Sequence, residues 1–127
     1  MKTKIIIAAM FFVLFLLSGF SYGADSIIGT YSIFEGRYFL IFQEDGHYVV
    51  KDNNDNISSE GSYVAEGDQI ALTDVSGPVA CSGAAKTGKY KWNLDGDKLT
   101  FTVVDDKCEG RKGALTAQPF TKEKESK

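Results

Sequence analysis

The chain has 127 residues, with 14 basic and 17 acidic side chains and a single histidine, for a formal net charge of −3. Lysine and arginine form no stripe or cluster, which excludes the counterion-displacing surface that nucleic-acid binding requires. The length accommodates one domain with one modest core.

In chain order, Lys2 and Lys4 precede an apolar run from Ile5 to Leu17, followed by the small residues Ser21 and Gly23. This is the pattern of a secretory signal peptide spanning residues 1–23, cleaved after Gly23 to leave Ala24 at the mature terminus. The apolar run is shorter than the ~20 residues a bilayer-spanning helix needs. Leu17-Ser18-Gly19 is the start of a lipoprotein box, but Phe20 stands where the acylated cysteine would be, so no membrane anchor is expected. The expected location is exported, periplasmic or secreted. Loss of Lys2 and Lys4 leaves 12 basic against 17 acidic side chains, a mature charge of −5.

Period-two alternation and turn chemistry predict eight strands in residues 24–120: Gly29 to Phe34, Arg37 to Gln43, His47 to Lys51, Ile57 to Ala65, Gln69 to Val75, Gly88 to Leu94, Lys98 to Asp105 and Ala114 to Phe120. Two of the hairpins are near copies. Gly61, Tyr63, Gly67, Asp68, Ile70, Leu72 and Thr73 recur as Gly88, Tyr90, Gly96, Asp97, Leu99, Phe101 and Thr102, each a strand, a tight Gly-Asp turn and a strand. No helical period is evident after the signal segment. Sequential hairpins build an all-β meander, and closure into an eight-stranded antiparallel up-and-down barrel removes its two unpaired edges. A barrel of eight strands is either filled by side chains or holds one small ligand.

Alternation places Tyr48, Val50, Tyr63, Ile70, Leu72, Tyr90, Trp92, Leu94, Leu99, Phe101 and Val103 inside, with Lys89, Lys91, Asn93, Thr100 and Thr102 outside. Tyr38-Phe39-Leu40-Ile41-Phe42 is apolar on both faces and needs cover on each. Packing around a barrel end or a chain terminus supplies that cover, or Tyr38, Phe39, Leu40 and Phe42 form a patch for a protein partner. From Thr121 the chain carries mixed charge without apolar period, so residues 121–127 read as a disordered tail.

Cys81 and Cys108 both fall in the exported part, where an even count favours pairing. One disulfide is expected, contributing about 3–4 kcal/mol through loop closure. Their spacing matches no zinc site. Chemistry-bearing groups are otherwise sparse. His47, next to the Asp45-Gly46 turn, has no nucleophile in a recognisable context nearby, so no catalytic residue is assigned. Asp95 with Asp97, and Asp105 with Asp106, are pairs of carboxylates at turns, where aspartate serves the backbone. Asp52, Asn54, Asn56 and Ser58 alternate like calcium ligands but lack the central glycine and closing glutamate, so no metal or cofactor is expected. Asn56-Ile57-Ser58 is a glycosylation sequon if the source is a eukaryote.

The string Gly61-Ser62-Tyr63, Ala80-Cys81, Tyr90-x-Trp92-x-Leu94 before Asp95-Gly96-Asp97, and Cys108-x-Gly110-Arg111 with Leu115 beyond resembles small exported lipocalin-like proteins of bacteria over residues 29 to 120. The resemblance implies a calycin-type barrel that binds a small hydrophobic ligand at its open end. One departure is Gly29-x-Tyr31, where true lipocalins carry Gly-x-Trp. Arg111 has two readings: a guanidinium closing the barrel bottom over an aromatic ring beside the disulfide, or a partner, with Arg37, for a ligand carboxylate.

The expected function is therefore binding of a small hydrophobic or amphiphilic molecule by a monomer through Tyr48, Tyr63, Tyr90, Trp92, Phe101 and Arg111, since tyrosine and tryptophan combine apolar faces with polar tips. The alternative is a filled barrel acting as a protein-interaction module, such as an inhibitor of an extracellular enzyme.

Overall fold

The computed structural model describes residues 26–124, and the signal segment, its cleavage point and the last three residues lie outside them. Eight antiparallel strands follow one another around a closed barrel: β1 (Gly29–Ile33), β2 (Tyr38–Phe42), β3 (His47–Asp52), β4 (Ile57–Glu66), β5 (Gln69–Ser76), β6 (Thr87–Asp95), β7 (Lys98–Asp105) and β8 (Phe120–Lys122). Closure is made by β8 between β7 and β1, with Leu99 opposite Phe120 and Tyr31 opposite Lys122. Closure leaves no edge strand in the sheet, which is how an all-β chain of this size avoids edge-to-edge pairing, although β8 pairs only two residues on each side.

The duplicated hairpins use the same device. Glu66 pairs with Gln69 and Asp95 with Lys98, leaving the two-residue turns Gly67-Asp68 and Gly96-Asp97. Positive φ falls on the glycine of each, +59° and +62°, and not on the aspartate, the pattern of a type II′ turn whose twist matches that of the flanking strands. These turns, the β2–β3 turn and residues 26–28 lie at one end of the barrel, here the turn end. At the other lie the β1–β2 and β3–β4 loops, a long β5–β6 loop with a short 3₁₀ turn (Gly83–Ala85), and a helix, α1 (Glu109–Thr116). The disulfide Cys81–Cys108 ties that loop to the base of α1, so this is the disulfide end.

The predicted interior is observed, with one correction. Tyr48, Ile70, Leu72, Tyr90, Leu99 and Phe101 are buried in one cluster with Tyr31, Leu40, Phe42, Leu115 and Phe120, and Val50, Tyr63, Trp92 and Leu94 pack against it. Val103 is instead 38% exposed. The β6–β7 register shifts between Lys89 and Tyr90, and a bulge of that kind ends the simple alternation at Val103. Edge-to-face aromatic pairs run through the core, from Tyr31 to Phe42 to Tyr63 and from Tyr90 to Phe101 to Phe120. At the turn end Ile27 is buried and its carbonyl accepts a 2.8 Å hydrogen bond from the Tyr31 hydroxyl.

The C-terminal region differs from expectation. The segment Ala114 to Phe120, predicted as a strand, begins inside α1, and only Phe120 enters β8. Gly110 and Gly113 weaken the helical propensity of α1; its stability comes from burial of Leu115 and from Arg111, described below. Pro119 excludes helical backbone at the residue before it and so limits how far the helix can continue. The tail is also corrected at its start. Thr121 and Lys122 belong to the closing strand, the Lys122 amide donates to the Asp97 carbonyl at 2.7 Å, and the Ser32 hydroxyl donates to the Glu123 carboxylate at 2.6 Å.

Candidate functional site

The side chains that fill the turn-end half of the barrel do not fill the disulfide end, and a cavity of about 390 Å³ remains there. Its walls are apolar: Ile33 from β1, Leu40 from β2, Val50 from β3, Leu72 from β5, Leu115 from α1 and Phe120 from β8. Phe34, Tyr38 and Val79, all exposed, stand at its mouth. Phe34 is held there in left-handed backbone, φ +55°, with its ring edge-on to Tyr38. A bulky residue in that region is strained, and the strain sits at the opening.

One wall is polar. Tyr48 and Asp74 face the cavity together with Arg111, Ser58 and Ser59. Asp74 continues the inward series Ile70, Leu72, Asp74 along β5, so the period that buries two aliphatic residues buries an acid next. The Tyr48 hydroxyl donates to Asp74 Oδ1, while Asp74 Oδ2 accepts from the Cys81 amide at 2.8 Å and pairs with Arg111 Nη1 at 3.2 Å. Behind it, Asp106 accepts from the Tyr90 hydroxyl, from the Cys108 amide at 2.8 Å, and from Arg111 Nε and Nη2, each at 2.7 Å. Arg111 Nη1 and Nη2 also donate to the Lys86 and Ala85 carbonyls at 3.1 and 2.8 Å.

The guanidinium has five N–H donors in a fixed fork; four are given to Asp106 and to the Lys86 and Ala85 carbonyls, and Nη1 also lies 3.2 Å from Asp74 Oδ2 in an ion pair. Its side chain is only 8% exposed. Arg111 is thus a buried tie between α1, the β5–β6 loop and two strands. The disulfide serves the same junction, because the amides of both its cysteines hold the two aspartates. Gly88 makes room for it: a Cβ there would stand 2.4 Å from Asp106 Oδ2 and 2.9 Å from Arg111 Nη2.

Burial opposes ionisation of Asp106, but the hydrogen bonds from Arg111, Tyr90 and the Cys108 amide outweigh it and hold the carboxyl below its usual range. Burial pushes the Tyr48 and Tyr90 hydroxyls up, and donation to Asp74 and Asp106 adds to this. Burial also lowers the tendency of Arg111 to stay charged, and Asp106 and Asp74 reverse that effect and raise it above its ordinary value.

Of the residues expected to bind a ligand, Tyr48 and Arg111 reach the cavity. Tyr90 and Phe101 are packed in the core beside it. Tyr63 and Trp92 belong to the turn end: the Tyr63 hydroxyl donates to the Gln43 carbonyl at 2.6 Å, and the Trp92 amide to the Asp68 carbonyl at 2.8 Å. Trp92 Nε1 is the one buried side-chain polar atom without a partner among the described residues. The expected protein-docking patch is corrected in part. Leu40 and Phe42 are 2% and 1% exposed and point into the barrel, leaving Phe39 and Tyr38 as its only accessible members.

The remaining candidates have structural duties. His47 Nδ1 lies 3.0 Å from Asp45 at an exposed turn. Asp52 staples the β3–β4 loop through the Asn54 and Asn56 amides at 2.8 and 2.9 Å, which hold its carboxyl below the usual range together with the Asn56 side chain. Asp105 and Asp106 face opposite ways, one exposed and one buried. Asp74, Cys81 and Cys108 form the one potential metal-ligand group among the described residues, and their sulfurs are bonded to each other.

Sequence reasoning missed Asp74 and set Asp106 aside as a turn residue. The signal for Asp74 was its inward position in β5, since a buried acid demands a buried base and Arg111 is the available one. Comparison of the chain with protein-family models, with curated proteins and with solved structures gives no match. No helix of the described residues is long and apolar enough to cross a membrane. What fold and site define is a closed, disulfide-tied antiparallel barrel with an apolar cavity at one end.

Proposed function

We propose that this is an exported, periplasmic or secreted lipocalin-like protein that binds a small apolar or amphiphilic molecule, without catalysis, in the cavity at its disulfide end. The observation that carries this reading is a cavity of about 390 Å³ lined mainly by aliphatic and aromatic side chains in an otherwise filled barrel. Ligand sites in small barrels have this size and chemistry, with few polar groups among many apolar ones. The disulfide supports export, because such bonds persist in oxidising compartments. Tyr48, Val50, Leu72 and Leu115 contact the ligand in this reading, and Tyr90 and Phe101 support the wall from behind.

Native mass spectrometry of the mature protein from its own compartment tests it. A defined small adduct, released by organic solvent and absent from Val50→Trp, in which an indole occupies the cavity, is the expected result. A clean mass for the parent, together with no binding of apolar probes, overturns the reading.

A further inference from the structure

Resting on that ligand reading, the structure also constrains the polar end of the molecule. The polar wall holds two aspartates and one arginine, a formal excess of one negative charge in a buried site. Arg111 gives four hydrogen bonds to Asp106 and two backbone carbonyls and is ion-paired with Asp74, so its charge is already matched by two aspartates. The Tyr48 hydroxyl hydrogen is already given to Asp74, so its oxygen has only lone pairs to offer. Asp74 itself accepts two hydrogen bonds, from Tyr48 and Cys81, and is ion-paired with Arg111, whereas an ionised carboxylate has about four acceptor sites. Ser58 and Ser59, whose hydroxyls can donate or accept, complete the polar lining.

We infer that the cavity selects amphiphiles whose head is a hydrogen-bond donor, a protonated primary amine before an alcohol, and rejects carboxylates, because Asp74 and Tyr48 meet the head with acceptors while the Arg111 guanidinium is committed to two aspartates and two carbonyls within the protein. A carboxylate head meets two acceptors and a like charge, beside a guanidinium already paired with two aspartates. An ammonium head fills an open acceptor site on Asp74 and offsets the excess negative charge. An alcohol gains the hydrogen bond alone. Arg37, exposed beside the mouth next to Phe34, is the nearest arginine outside the cavity, and it sets up the competing arrangement with an acid head at the rim.

The test is calorimetric titration of the oxidised mature protein with decylamine, decanol and decanoate below their micelle concentrations, at fixed ionic strength and neutral pH. Parent, Asp74→Asn, Tyr48→Phe, Arg37→Ala and Val50→Trp proteins are compared. Decylamine is expected to bind about 100-fold or more tighter than decanoate, since like charges brought together cost several kcal/mol, with decanol between. Asp74→Asn should remove at least about tenfold of the amine preference while decanol changes little. If that variant does not fold, Tyr48→Phe, which frees a further acceptor site on Asp74, should retain the order of the three. Equal affinities, or decanoate binding tightest and lost in Arg37→Ala, overturn the head-group inference and leave the cavity reading standing. No binding by any probe overturns both. Amine binding that persists in Val50→Trp is surface adsorption and also counts against the inference.

Discussion

Removing the Arg111 guanidinium, as in Arg111→Leu, is the perturbation with the largest expected consequence. The change strips Asp106, whose side chain is fully buried, of two of its four donors and Asp74 of its ion-pair partner. It also leaves the Ala85 and Lys86 carbonyls without the donors that hold the β5–β6 loop. Breaking a buried ion pair by deleting one partner costs about 3–5 kcal/mol, because the other charge stays buried and unpaired. That is roughly a fifth or more of the ~5–15 kcal/mol that stabilises a typical domain. At ~4–8 °C per kcal/mol for a domain of this size, Tm should fall by at least about 12 °C at neutral pH. The pH dependence carries the sign. In the parent, Asp106 has a lowered carboxyl pKa, so its contribution is present above the unfolded value and is lost as pH falls through the folded one. In the variant burial dominates and raises that pKa, so the deficit is greatest at neutral pH and shrinks as pH falls. Thermal melts of parent, Arg111→Leu, Asp106→Asn and the double variant, at neutral pH and near pH 4, read both effects. A neutral-pH Tm within about 4 °C of the parent, or a deficit equal at the two pH values, would refute the assignment of Arg111 as the tie of this end.

Reduction of Cys81–Cys108, which are 27 residues apart, should cost about 3.5 kcal/mol by loop entropy, measurable as a lower urea midpoint with unchanged cooperativity. Gly88→Ala drives a Cβ into the Asp106 carboxylate and should destabilise by about 1–3 kcal/mol as overpacking does, while Gly110→Ala, with open space around it, should be neutral or stabilising; paired denaturant curves compare them. Trp92→Phe removes the buried Nε1 donor that lacks a partner, so the area it loses is offset and the cost should stay below about 1 kcal/mol. Ultraviolet titration should find Tyr31 ionising only near about 12, pushed up by burial and then by Tyr63. Its folded pKa exceeds the unfolded ~10, so the stability tied to it is complete below pH ~10 and is lost between ~10 and 12.

Local physics made most of the barrel legible. The duplicated Gly-x-Tyr hairpins were readable because a two-residue turn with glycine first accepts positive φ, and because strands of period two write their inside and outside into neighbouring residues. The single disulfide was readable from an even cysteine count behind a predicted export signal. The candidate site was legible at Tyr48 and Arg111, the residues that chemistry singles out, and not at Asp74 or Asp106, where aspartate near a strand end has an ordinary turn explanation.

The C-terminal segment was decided by tertiary structure. Two glycines and one buried leucine make α1 a poor helix in isolation, and its period is too short to register. Burial of Leu115 and the four hydrogen bonds of Arg111 hold it once the β5–β6 loop and β7 are in place. The cavity has the same origin. It is the difference between the space a closed eight-stranded wall encloses and the volume of the side chains pointing into it, and that difference depends on how α1 seats over one end. Which tyrosines meet a ligand and which are merely core therefore could not be read from alternation, because the alternation of β3, β4 and β6 is the same at the filled end and at the open one.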